Sequence, residues 1–204
     1  MVNFGNQHQK LASLGPIRNP GYITHVENLE SILKMGILSR DLVVELGISP
    51  VGIHNQEIVL RRRHRGLWSF ANLYLQPRNA MLCLEVHRSV PVAVIWVDRT
   101  ILVENPNLMF SDGNAGSAHS NLFAYADGLE QVKRLWEDAL DRRYWNWESK
   151  RTMQAECLVP RAVDVRYIKK ISVQNDSMKA RVERITRGRK FEVIVDSELF
   201  FGVG

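Results

Sequence analysis

Met153-Gln-Ala-Glu-Cys-Leu-Val-Pro160, the run MQAECLVP, sets a carboxylate inside what otherwise reads as a short apolar strand. Cys157, Leu158 and Val159 favour extended backbone, and Pro160 has no N–H to give to a ladder, so one strand is expected over residues 154 to 159. Side chains alternate along a strand, which puts Gln154, Glu156 and Leu158 on one face. Burying a lone carboxylate costs several kcal/mol unless it is paired or hydrogen-bonded. That face therefore either reaches solvent, as on an edge strand with one wet side, or lines a site.

The chain has 204 residues, enough for one domain over 1–204 with a sizeable core, and residues 1–20, rich in Gly, Asn, Gln and Pro, are expected to be a loose lead-in. A composition of 45% hydrophobic and 24% charged residues is that of an ordinary globular chain, with no apolar run near the ~20 residues of a membrane helix. The opening MVNFGNQHQKLASLGP has no apolar core of signal-peptide length, which points to a cytoplasmic location. Cys83 and Cys157 fall in separate apolar, strand-like segments, and neither they nor the six histidines show metal-ligand spacing. Reduced core thiols and no metal are the expectation. The net charge of +5 is uneven, gathered at Arg61-Arg62-Arg63-His64-Arg65, Arg142-Arg143, Lys150-Arg151 and around Arg187. Such clusters suit a polyanionic partner or a solvated basic face.

Along the chain, Gly21 to Val26 reads as a strand and Glu27 to Met35 as a helix with Leu29, Ile32 and Leu33 at helical spacing and Gly36 as its stop. Residues 53 to 65 are expected to be a helix ending in the arginine run. Met81 to Val86 (MLCLEV) and Val92 to Val97 read as strands, 104 to 121 as a loop, Leu129 to Tyr144 as a helix, and Val165 to Val173 and Phe191 to Val195 as strands. The order is too irregular for βαβ units, so the fold class is α+β with a central mixed or antiparallel sheet and flanking helices.

Gly113 and Gly116 lie in a loop that opens no helix, so any dinucleotide is not held in the Rossmann way, and no serine sits in a nucleophile elbow. His25 stands at a strand end just ahead of a helix, where a neutral imidazole and backbone N–H groups suit a phosphate or an amide; a structural histidine fits there equally. The segment Arg142-Arg143-Tyr144-Trp145-Asn146-Trp147-Glu148-Ser149-Lys150-Arg151 mixes cations for phosphates with rings for unstacked bases, or is an amphipathic helix end with packed tryptophans.

YITHVENLESIL, ANLYLQPRNAMLC, SDGNAGSA and KRTMQAECLVP, in this order, resemble the DarT family of DNA ADP-ribosyltransferase toxins over residues 22 to about 173. The resemblance implies an ADP-ribosyltransferase fold, NAD as donor, a thymine or guanine base of single-stranded DNA as acceptor, and a macrodomain antitoxin that removes the mark. It places the catalytic carboxylate at Glu156, where it would stabilise the oxocarbenium-like ribose and take the proton of the base nitrogen. The catalytic arginine falls in Arg61-Arg62-Arg63, with Arg62 preferred. Thr24, His25, Asn28 and Leu29 would stand at the donor's nicotinamide side, and Tyr74, Arg78 and Met81 would line its pocket. Gln154 would touch the acceptor, alongside Arg65 and the Arg142 to Arg151 segment as DNA contacts. Asn114 departs from the histidine found in many relatives.

Two other readings remain at this level. A noncatalytic nucleic-acid-binding module explains the charge but not the strand carboxylate, and an NAD-using RNA 2′-phosphotransferase-like enzyme would want more Arg and His for its phosphate.

Overall fold

The computed structural model describes residues 11–53, 56–140, 147–187, 189 and 191–202. Among these, eight strands form one mixed sheet in the order β10-β9-β4-β1-β3-β7-β5-β6. The strands are β1 (Gly21–His25), β3 (Phe70–Tyr74), β4 (Val92–Val97), β5 (Met109–Ser111), β6 (Leu122–Ala124), β7 (Glu156–Pro160), β9 (Ile168–Val173) and β10 (Glu192–Val195). Two short strands, β2 (Ile37–Leu38) and β8 (Ala162–Val163), pair separately. All neighbours in the large sheet are antiparallel except β9 and β10. β1 pairs with β4 along its whole length but with β3 only at Gly21 and Tyr74, so the sheet forks between β1 and β3.

The helices flank this sheet: α1 (Leu29–Met35), α2 (Arg40–Glu45), α3 (Gln56–His64), α4 (Ala80–His87), α5 (Ile101–Glu104), α6 (Tyr125–Leu135), α7 (Trp147–Thr152) and α8 (Asp176–Ile185). α1 buries Leu29, Ile32 and Leu33 and stops at Gly36, whose φ of 87° and whose missing Cβ, which would lie 2.2 Å from the Val163 carbonyl oxygen, both require glycine. α6 begins before the expected Leu129, packs Gly128 onto Phe110, and passes into a wide π turn at Trp136–Leu140. No helix among the described residues is long and apolar enough to cross a membrane.

Several expectations are corrected. MLCLEV is helix, not strand: Asn79 Oδ1 caps α4 by accepting from the Met81 and Leu82 amides, and the buried positions are Leu82 and Glu85, three apart. Cys83 therefore lies on a helix, half-buried, while Cys157 is buried in the sheet. Residues 11 to 20 are not loose, because Leu14 and Ile17 are wholly buried in the core and Pro20 accepts from the Val97 amide. The Val165 to Val173 strand begins only at Ile168, after a 3-10 turn capped by Asp164. β7 begins at Glu156, so Gln154 lies in the turn before it rather than along its face. Nor is β7 an edge strand, since β3 and β5 flank it.

Candidate active site

Glu156 is fully buried, with 0% exposure. Its cross-strand partners are Tyr74 on β3 and Ser111 on β5. The cost of that burial is met by two donors in three contacts: Arg62 Nη1 lies 3.1 Å from Oε1 and 2.9 Å from Oε2, and the Ala115 amide donates to Oε1 at 3.1 Å. The Glu156 amide donates to Ser111 Oγ, whose hydroxyl in turn donates to the Gly113 carbonyl, tying the strand to the loop that carries Ala115.

Arg62 reaches Glu156 from α3, a helix with no buried residue and a glycine stop at Gly66, where φ is 69°. Helical geometry separates the three consecutive arginines: Arg61 pairs with Glu57 at 2.5 Å on the exposed side, Arg63 lies over the Trp68 ring at 4.9 Å, and Arg62 turns inward. Ile58, four residues earlier on the same helix face, meets the same glycine, Gly116, as Arg62 does. Burial on its own would lower the Arg62 pKa; the Glu156 carboxylate outweighs it and holds the guanidinium above its usual value. Burial, with Glu156 second, pushes up both the Tyr74 phenol and the Cys157 thiol, so both stay protonated beside the carboxylate.

Arg62 also stands on the wall of a cavity of about 550 Å³. Of the residues singled out in the sequence, Thr24, Asn28, Tyr74, Met81, Lys150 and Gln154 line it, and so does Asn114. Glu156 does not line it, because Arg62 stands between the two. Alternation along β1 accords with Thr24: Tyr22 and Thr24 line the cavity, whereas Ile23 between them does not and is buried in a core cluster. Asn28 lines the cavity and also grips the loop after α2, accepting from the Val51 amide at 2.8 Å and donating to the Val51 carbonyl at 3.0 Å.

The remaining candidates lie elsewhere. His25 is off the cavity wall; its Nδ1 accepts from the Glu27 amide as the cap of the following turn, and burial lowers its pKa. Leu29 is a core residue with 0% exposure. Arg78 donates to the Glu198 carbonyl and lies 4.3 Å from the Phe201 ring centre, binding the chain's last described turn rather than the cavity. Arg65 and Arg151 bind the loop between β5 and β6. Arg142, Arg143, Tyr144 and Trp145 lie outside the described residues, and Trp147 opens α7. The sequence reading missed Glu85, Arg40 and Trp68, all on the cavity wall. Only the face shared by Met81, Leu84, Glu85 and Arg88 in a helical register would have marked the first of them. Among the described residues no group of three or more His, Cys, Asp or Glu is placed to hold a metal ion.

The chain is similar to known proteins in sequence and in fold. A curated DNA ADP-ribosyl transferase–DNA ADP-ribosyl glycohydrolase fusion protein of Thermosipho africanus (strain H17ap60334) is 35% identical over 191 residues, 88% of this chain and 48% of the relative. The chain thus spans about half the length of the curated relative it matches. Thermosipho africanus DarTG, solved in complex with ADP-ribose, superposes with a TM-score of 0.80 at 33% identity, covering 90% of this chain and 51% of that one. Thermus sp. 2.9 DarT, solved in complex with ADP-ribosylated ssDNA, gives 0.75 at 22% identity over 90% of this chain and 96% of that one, a likeness of fold. The model of a family described as ssDNA thymidine ADP-ribosyltransferase, DarT, matches residues 22–201. That span holds α3, β3, β7 and all of β1 but Gly21, the four elements that carry Arg62, Tyr74, Glu156 and Thr24, and on this match the chain belongs to the DarT family.

Proposed function

We propose that the chain is an NAD-dependent ADP-ribosyltransferase acting on thymidine bases of single-stranded DNA. The observation that carries this reading is the ion pair between wholly buried Glu156 and Arg62, which stands on the wall of a cavity of about 550 Å³, a volume in the range of small-molecule and cofactor sites. The family's description accords with the acceptor, and the ADP-ribose held by the Thermosipho relative accords with the donor. The residues present suit an NAD-sized ligand: Arg62 Nη2 is buried with no hydrogen-bond partner, a donor that a ligand oxygen would satisfy. Thr24, Asn28, Tyr74 and Met81 would hold the donor, and Asn114, Lys150 and Gln154 would face the acceptor.

Bound NAD supplies the ADP-ribosyl group and nicotinamide as the leaving group. As the glycosidic bond breaks, positive charge grows on the ribose, and the charge that meets it is that of Glu156. Because Arg62 covers Glu156, turnover includes a step in which the guanidinium moves off the carboxylate towards the ligand. The carboxylate then accepts the proton that the base's ring nitrogen loses as its bond to the ribose forms. A noncatalytic nucleic-acid module would have no use for a carboxylate so placed. A partner that removes the mark belongs to the same reading, a macrodomain antitoxin, since the curated relative joins transferase and glycohydrolase in one chain. The cytoplasm is the compartment that offers both NAD and single-stranded DNA.

The test is incubation with NAD labelled in its adenylate half and oligonucleotides that differ in thymidine content. Label on thymidine-bearing single strands, absent from duplexes and from strands without thymidine, is the expected result. No label on any DNA, or label on guanine or on RNA, overturns the reading.

A further inference from the structure

Residues 112 to 121, between β5 and β6, bring the Ala115 amide to Glu156 and lay Gly116 against Arg62, where a Cβ would be 3.0 Å from Arg62 Cγ. The loop is closed at its base by Asp112, whose carboxylate accepts from the Asn121 amide at 2.9 Å and from Asn121 Nδ2 at 2.8 Å. Two arginines then hold it from outside. Arg65, just past α3, donates from Nη1 to the Ser117 carbonyl and from Nη2 to the Ser120 carbonyl, the latter at 3.0 Å. Arg151, on α7, donates from Nη1 to the Asp112 carbonyl at 3.2 Å and to its carboxylate at 2.8 Å. Arg62 and Arg65 are three apart at one helix end, so the element that seats the first on Glu156 also seats the second on the loop. Close packing leaves little slack: a Cβ at Gly113 would lie 2.7 Å from Ser120 Oγ and 3.0 Å from Arg151 Cγ.

We propose that Arg65 and Arg151 are positioning residues, clamping the 112–121 loop so that it fixes Glu156 and Arg62 for the reaction, and that they are not phosphate contacts for the DNA strand. The inference rests on the transferase reading above. A planar guanidinium can bridge two carbonyls at once; a lysine ammonium, a compact point charge, cannot hold that fork. Arg65 commits both of its terminal nitrogens to the loop carbonyls, so a phosphate that took those donors would release the loop. Binding the strand there would undo the arrangement that the reaction needs.

The experiment compares Arg65→Ala, Arg65→Lys and Arg151→Ala with the unaltered chain by four measurements. These are turnover at saturating single-stranded DNA, the KM for NAD, DNA affinity at two salt concentrations, and hydrogen exchange of the Ala115 amide. The clamp predicts turnover lower by roughly 100-fold, the loss expected when reacting groups are misplaced by about 1 Å. It also predicts Ala115 exchange faster by about 10-fold or more, and DNA affinity and its salt dependence changed by no more than about twofold. Arg65→Lys should behave as Arg65→Ala does. The opposite pattern, DNA affinity and salt slope falling while turnover at saturating DNA and Ala115 exchange hold, overturns the proposal, as does an Arg65→Lys chain that equals the unaltered one. Should Arg151→Ala fail to fold, Asp112→Asn, which removes the charge paired with Arg151 and one acceptor of the Asn121 clasp, carries the same expectations. If the unaltered chain labels no DNA the transferase reading falls, and Ala115 exchange still decides whether the clamp exists.

Discussion

Tyr74 and Glu156 face each other as Cα partners across the β3–β7 ladder, so the phenol and the carboxylate are fixed as neighbours by sheet register. Burial first, and the Glu156 charge second, raise the Tyr74 pKa. A folded-state pKa above the unfolded value of about 10 means that stability is intact below that pH and is lost as pH rises past it. Unfolding midpoints measured from pH 8 to 11 should fall at the alkaline end, and Tyr74→Phe should flatten that fall. An identical slope in both chains would place the alkaline loss elsewhere.

Removing Glu156 alone should cost more than removing the pair. Glu156→Ala leaves the Arg62 charge buried and unmatched, a change worth about 3–5 kcal/mol in other buried pairs, so the carboxylate is not dispensable for folding. The double variant Arg62→Ala, Glu156→Ala should recover part of that loss, as a denaturant-unfolding cycle would read. Glu156→Gln, which keeps the shape and an acceptor for Ala115, should stay folded and lose about 100-fold or more in rate, the scale of removing one electrostatic stabiliser.

Gly116→Ala should act on the reaction through Arg62. The added Cβ, 3.0 Å from Arg62 Cγ, pushes the side chain by a few tenths of an ångström. Turnover should drop by roughly 10-fold while the thermal midpoint moves little, because displaced reacting groups are costly at small distances. Arg61→Ala, which loses only an exposed pair with Glu57, should leave turnover intact, whereas Arg62→Ala should abolish it.

Asn28 lines the cavity and holds the loop at Val51, so its loss should act on donor affinity. Asn28→Ala removes both hydrogen bonds to the Val51 backbone, and the KM for NAD should rise several-fold with kcat nearly unchanged. Exchange of the Val51 amide should quicken in the same variant. A fall in kcat with constant KM would move Asn28 to the reacting end of the cavity.

His25 should make the fold acid-sensitive. Its Nδ1 must be unprotonated to accept the Glu27 amide, and burial, the leading cause, lowers its pKa from 6.5. The neutral form is the one the fold favours. Stability is therefore present above about pH 6.5 and lost as pH falls through the lower folded-state value. His25→Asn, which keeps a capping oxygen without a titrating ring, should remove that dependence between pH 5 and 7.

Legibility in the sequence followed the scale of the interaction. The β1–α1 opening, the Gly36 stop and the β4 run were readable because each depends on neighbours within a turn or a strand. MLCLEV was not: five apolar residues around one glutamate suit either period, and the deciding signal was the Asn79 cap just ahead of them. The carboxylate at Glu156 was visible as an anomaly, but its burial was not, since that depends on β3 and β5 closing on either side and on a cation 94 residues away. Charge alone did not show that Arg65 and Arg151 bind the 112–121 loop. A cation spent on backbone carbonyls inside the protein looks, in sequence, like one kept for a phosphate.

The place of β7 in the sheet also bears on how the chain is made. Its partners β3 and β5 leave the ribosome long before it does, and neither Arg62 nor the Ala115 amide has a carboxylate to meet until residue 156 has followed them. On the transferase reading, a nascent chain stalled or cleaved before β7 lacks Glu156 and should carry no activity, whatever the rest of the sheet has formed.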